Sequence, residues 1–320
     1  MASPKIPQEL WSSYIVEKLR RTNPHIALCF DESKYIKGGA IVYLPQAGAK
    51  PSVVKNRGFG AATAVQRGDT AVMYALDVFT TDPTAITIAE NLEISYEKTD
   101  SVLADHTDTL AEAIGDELTY SWIKGVKPAA NGATTVEFLP ASRQIRTSGA
   151  ATAVNAEDGQ TGTRKATTYK EFQAMQAKFN KDNVNKQNRY AMLESYMQQE
   201  FLDSLSANQM AAFQASADLA NGVVGKFAGF TILERSSVLA LSSAGVFRLP
   251  GEALGATDNL ASIFWQKDSV TKALGDTKLF QDMDNPLYYG DIHSGLVKMG
   301  GRCRREDWKG VGLIVQAPTA

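Results

Sequence analysis

Cysteine is nearly absent: the 320 residues hold two, Cys29 and Cys303. That excludes a disulfide framework and predicts two reduced, partly buried thiols in a protein made in a cytoplasm. Histidine is almost as scarce. His25, His106 and His293 lie far apart and form no ligand spacing with the cysteines, so no metal residue is nominated. His106 reads as a packed, hydrogen-bonded side chain, and His25 and His293 as structural or exposed ones. No apolar run approaches the roughly 18 residues of a membrane-crossing helix. Residues 1–18 lack the basic start and apolar run of a secretion signal, so a soluble, non-exported protein is expected. The formal net charge is only −2, without the basic excess usual in a nucleic-acid-binding domain.

Sequence-local catalytic motifs are missing as well. Gly58-Phe59-Gly60 lacks the third glycine of a dinucleotide loop. Gly222-Val223-Val224-Gly225-Lys226 is too short for a phosphate-binding loop, with Phe227 where Ser or Thr is required. Both read as turns. No Gly-x-Ser-x-Gly elbow nominates a nucleophile. A triad built from distant segments would make the chain a soluble hydrolase, a remote alternative. No catalytic or cofactor-binding residue is nominated, and no cofactor is expected.

What the chain does have is ordinary globular composition, 44% hydrophobic and 21% charged, fit for one to three domains. Residues 7–21 predict a helix, with Pro7 in its first turn and Pro24 beyond its end. Residues 38–82 predict a long two-stranded excursion. Ile41-Val42-Tyr43-Leu44-Pro45 and Ala71-Val72-Met73-Tyr74-Ala75-Leu76 are strand-like, and the stretch between them is glycine-rich. Such a hairpin is marginal alone and should lean on something, a second subunit included. Residues 100–124 are the clearest helix. Leu103, Leu110, Ile114, Leu118 and Trp122 form one stripe, Asp105, Asp108, Glu112 and Asp116 fall opposite, and Gly125 and Pro128 close it. A solvated face is the ordinary meaning of such an acidic row.

Residues 147–168 are small and polar and read as a loop or arm. Phe172, Met175 and Phe179 then recur at helical spacing. Asn180-Lys181-Asp182-Asn183-Val184-Asn185 breaks that helix with turn residues. Arg189 to Leu193 is strand-like, and Met197, Phe201 and Leu205 restore the helical period. Short strands are expected at 226–233, 246–249 and 263–266. A short helix capped by Asp268 and ending at Gly275 follows, then strands at 292–299 and 311–316. Without regular strand–helix alternation, and with no internal repeat, the class is α+β.

Charge is segregated. Lys34, Lys37, Lys50, Lys55, Arg57 and Arg67 occupy a stretch with no acidic residue, whereas residues 82–117 hold ten acidic residues and one basic one, Lys98. Beside a chance distribution stands a second reading. The basic excursion, through Lys50, Lys55, Arg57 and Arg67, meets an acidic surface containing Asp105, Asp108, Glu112 and Asp116, on this chain or a neighbour.

In order and residue type, the turn and strand from Asn183 to Leu193 resemble a segment of tailed-phage major capsid proteins. The likeness extends over nearly the whole chain. Its landmarks are the start helix with Trp11, the run Gly38-Gly39-Ala40-Ile41-Val42-Tyr43-Leu44-Pro45 and the 100–124 helix. Gly225-Lys226-Phe227-Ala228-Gly229-Phe230 and Gln266-Lys267-Asp268-Ser269-Val270-Thr271-Lys272-Ala273 complete them. Each motif is weak alone; their shared order and spacing carry the resemblance to the Hong Kong 97-type capsid fold.

That resemblance implies an N-terminal arm (1–37), an extended loop (38–82) and a peripheral domain with a spine helix (83–185). An axial domain (186–285) and C-terminal strands returning to the peripheral domain (286–320) complete it. It implies no enzyme but a shell subunit forming pentamers and hexamers around phage DNA, located in the virion and synthesised in a bacterial host cytoplasm. The implied partners are further copies of itself, a scaffolding protein, a portal, a decoration protein and non-specifically bound DNA, with no membrane. Scaffolding would be a separate protein or a segment already removed. An encapsulin-like compartment shell is the same-fold alternative.

Overall fold

The computed structural model describes residues 23–37, 41–48, 51–60, 64, 66–87, 98–128, 134–154, 159–218, 222–287 and 289–319. The expected helix at 7–21, the Gly38-Gly39-Ala40 approach to the excursion and Lys50 lie outside them.

Helix α1 spans Lys98–Ser121. Its expected stripe is its inner face: Leu103, Leu110, Ile114 and Leu118 are buried, as is Trp122 just beyond its end. That face lies on a five-stranded sheet. Strands Val270–Asn285 and Gly290–Cys303 form its central hairpin. Phe30–Asp31 adds in parallel on one side, and Asp77–Thr80 and Thr84–Thr87 pair along the other. Helix and sheet meet closely at Gly301, where a Cβ would stand 2.4 Å from Leu118 Cδ1 and 2.4 Å from the Thr271 carbonyl oxygen. Only glycine leaves that room.

The second sheet has eight strands. Its main path runs Val223–Phe227, Phe230–Arg235, Arg189–Glu194, Asn259–Gln266, Leu239–Leu241 and Phe247–Arg248. Val311–Val315 also pairs with Asn259–Gln266 and carries Gln144–Arg146 beyond it. Strand Asn259–Gln266 is buried at every position, and its alternation divides the core in two. Ala261, Ile263 and Trp265 face the α1 side and pack with Trp122, Leu118 and Val297. Leu260 and Phe264 face the other way, into a cluster with Phe172, Phe179, Phe201 and Phe230. Trp122 and Trp265 join the two sheets, with ring centroids 5.1 Å apart. Their indole N–H groups donate to the Thr271 and Leu28 carbonyls, both at 3.0 Å.

Helices α2 (Tyr169–Lys181), α3 (Ser195–Asp203) and α4 (Ala207–Gln214) cover the second cluster. The break after α2 forms where expected: Asn183 takes φ 54°, a left-handed backbone that asparagine tolerates. Buried Arg189 clamps the turn, donating to Asn180 Oδ1 (3.0 Å) and to the carbonyls of Val184 (2.7 Å) and Asn185 (2.8 Å).

Three expectations are corrected. Residues 226–233 are not one strand. Ala228 and Gly229 take φ 47° and 76° and reverse the chain between Val223–Phe227 and Phe230–Arg235, with the positive φ pair of a tight hairpin. Asp268 does not cap a helix ending at Gly275. One 3-10 turn, Lys267–Ser269, leads into strand Val270–Asn285, where β-branched Val270 and Thr271 pair with Cys303 and Arg302. The loop at 147–168 contains strands Ala151–Ala153 and Thr163–Lys165; the latter pairs with Ala317–Pro318 at the chain's end. The topology also crosses the expected boundaries. The line at 285 falls inside the 270–303 hairpin, and Val311–Val315 joins the sheet of 186–266.

Candidate assembly surfaces

The excursion is a three-stranded sheet of Ile36–Lys37, Ile41–Gln46 and Thr70–Ala75. Its inner face, Val42, Leu44, Val72 and Tyr74, packs on Leu76 and Ala273. Beyond Gln46 that support ends. Residues 51–60 are exposed throughout, and Val53 keeps 96% of its surface. The apolar side chains of Val53, Val54 and Phe59 are among those exposed there.

The root is held by a cluster no sequence motif announced. Glu32 is wholly buried. It accepts a hydrogen bond from the Tyr74 hydroxyl at 3.1 Å and pairs with Arg304 Nε at 3.1 Å. Burial pushes its carboxyl above the ordinary range, against the pull of Tyr74 and Arg304. Gln46 donates to the Arg304 carbonyl at 2.6 Å. Buried Arg302 donates to the Met73 and Val126 carbonyls, both at 2.9 Å. The excursion therefore leaves the body at a fixed root although its tip is bare. Under the root lies a cleft of about 540 Å³ lined by Tyr43, Asn185, Arg304, Arg305 and Lys309 among others.

The structure sorts the expected contact residues. Lys55 and Arg57 lie on the exposed tip. Arg67 is tied to Asp69 within the excursion by bonds of 2.5 and 3.0 Å. On α1, Asp105, Asp108 and Glu112 are exposed. Asp116 is half-buried and bound to Arg235 of the second sheet at 2.6 Å; burial pushes its carboxyl up despite that partner. Within one chain the structure shows no ion pair between the two sets among the described residues. Nor, among those residues, does any group of three or more His, Cys, Asp or Glu side chains suit a metal ion.

No protein-family model matches the sequence, and no curated protein matches it. Solved structures do match the fold. The capsid of cyanophage P-SCSP1u superposes with a TM-score of 0.62 at 15% identity, over 91% of this chain and 87% of that one. The capsid of Ralstonia phage GP4 gives 0.62 at 10% identity over 92% and 88%. The capsid of a native GTA particle gives 0.55 at 12% identity over 92% and 89%. Identities this low establish architecture only, and the architecture of this chain is the α+β fold of tailed-phage major capsid proteins.

Proposed function

We propose that the chain is a major capsid protein that assembles into a closed shell around phage DNA. The observation that carries this is the two-way fit: the likeness to capsid subunits spans about nine-tenths of both chains, leaving little of this chain for a different task. A fixed-root excursion with a bare apolar and basic tip suits a subunit completed by its neighbours. In this reading the peripheral domain is α1 with its five-stranded sheet, including the 270–303 hairpin. The axial domain is the eight-stranded sheet with α2, α3 and α4. Subunits form pentamers and hexamers, with scaffolding, portal and decoration proteins as partners, and the role is structural rather than catalytic.

The tip docks on a neighbouring subunit's α1. Lys55 and Arg57 meet the exposed acidic face of that helix, which carries Asp105, Asp108 and Glu112; Arg67 is bound to Asp69, and Asp116 to Arg235, within their own chain. Electron microscopy of protein co-expressed with its neighbouring genes tests the reading: closed particles containing DNA are expected. Particles filled with a protein cargo would instead indicate a compartment shell, and discrete monomers or dimers at every concentration would refute assembly.

A further inference from the structure

The inner face of α1 changes character along its length. Leu118 lies against Gly301, and Leu110 and Ile114 pack with Val297 and Met299. Continuing in the same sense, the inward positions of strand Gly290–Cys303 are Gly295, His293 and Asp291, and the helix offers His106 and Leu103. His293 is 1% exposed and His106 7%. Neither His106 Nε2 nor either ring nitrogen of His293 has a hydrogen-bond partner among the described residues. A buried imidazole without partners is costly and calls for an explanation. We propose that His106 and His293 act as an acid-released latch, in which packing seats the N-terminal half of α1 on its sheet and protonation of the two rings frees it.

The surroundings set how the latch responds. Asp105 flanks His106 on the helix, Asp291 flanks His293 on the strand, and Asp82 lines the groove from the sheet edge. Among the described residues no lysine or arginine lines that groove, which has a volume of about 620 Å³. Burial holds both imidazoles below their ordinary value. Asp105 and Asp291 pull the other way, and His106 adds to the depression of His293. The packed arrangement therefore favours the neutral form of both rings. In the released state each ring regains an ordinary value near 6.5. The closed form keeps its full advantage above that pH and loses it as pH falls toward the depressed values. Release also disturbs the outer face carrying Asp105 and Asp108. The latch stands on the fold alone; its effect on docking rests on the assembly reading.

Hydrogen exchange of the full chain near pH 7 and near pH 5, corrected for intrinsic rates, tests it. Amides of 98–109 and 290–294 should lose protection about tenfold at the lower pH relative to Asn259–Gln266. The double variant His106→Phe/His293→Phe should keep it. No local loss in the natural chain, or the same loss in the double variant, would overturn the proposal. Imidazole titration by NMR keeps the test decisive if that variant does not fold. Both rings should titrate below about 6.5, and His106→Gln should raise the His293 midpoint. A His293 midpoint at the ordinary value, or one unmoved by His106→Gln, would refute the latch.

Discussion

Single residues show how burial decides chemistry in this fold. Ile114 is 1% exposed on the inner face of α1, and Glu112 points to solvent two residues earlier. Ile114→Asp would bury an unpaired charge and should cost about 3–5 kcal/mol, enough to yield insoluble protein. Glu112→Ala should fold with a circular dichroism spectrum unchanged, and equal solubility of both variants would mean the helix phase is wrong. Burial also raises the thiols, Cys29 to about 12 and Cys303 to about 11. A disulfide reagent should count two thiols per chain after denaturation without reductant, and react slowly before it. His25 is a different case. It contacts the Gly115 carbonyl at 3.2 Å and meets the Trp122 ring edge-on. Burial, then Arg235, lowers it to about 3. Unfolded chains bind this proton near 6.5, so its contribution is full above that pH and is lost toward about 3. Urea unfolding of His25→Phe should show a pH slope shallower by up to about 1.4 kcal/mol per unit between pH 6 and 4.

At the scale of elements, periodicity was legible wherever one face is buried. Residues 100–124 and 172–179 announce their helices because apolar side chains recur every three or four positions. Glu171 adds a feature of the same scale. Its carboxylate accepts from the Thr168 amide (2.8 Å) and hydroxyl (2.5 Å), and from the Ser148 amide (2.9 Å) and hydroxyl (2.6 Å). It thus caps α2 and pins the segment before strand Ala151–Ala153. Glu171→Ala should remove about 2 kcal/mol of stability, read as a lowered thermal midpoint; a change within error would mean the carboxylate is not the clamp. Elements whose pairing is remote were less legible. Val270–Asn285 and Gly290–Cys303 could be read only in part, because what holds them extended is the ladder between them. The reversal at Ala228-Gly229 lacks the usual Asn-Gly signal and is imposed by the pairing of the strands beside it.

For the whole molecule, the proposed docking gives the segregated charges a role between copies. In the docking proposed above, an exposed pair would be worth about 0–1 kcal/mol, so no single pair would hold a shell, but each subunit would repeat the contact. Lys55→Glu with Arg57→Glu should leave the monomer folded and impair assembly, measured by light scattering and microscopy. Adding Asp108→Lys and Glu112→Lys in the same chain should recover part of it. Natural particles should form less readily toward 1 M salt, where the screening length falls to about 3 Å. If the first pair of changes leaves assembly untouched, or the second restores nothing, the tip docks elsewhere. Of the contact residues read from sequence, the charge sign was legible and the pairing within the chain was not. Arg67 and Asp116 look like their neighbours in the sequence, yet each already has a partner within its own chain.

The sequence by itself determined the class, the inward stripe of α1, the turn at Asn183 and the paired strands of the excursion, because local spacing and turn chemistry carry these; the capsid fold was legible in it as a resemblance. The tertiary structure alone decided that Glu32, Tyr74 and Arg304 fix the root of the excursion. It alone placed His106 and His293, 187 positions apart, on facing surfaces of α1 and its sheet. It also sent Val311–Val315 to the sheet of Asn259–Gln266 rather than to the hairpin before it. Each of these depends on contacts between residues far apart in the chain. Such contacts follow from which strands share a sheet, and a short apolar strand is compatible with many neighbours until packing selects one.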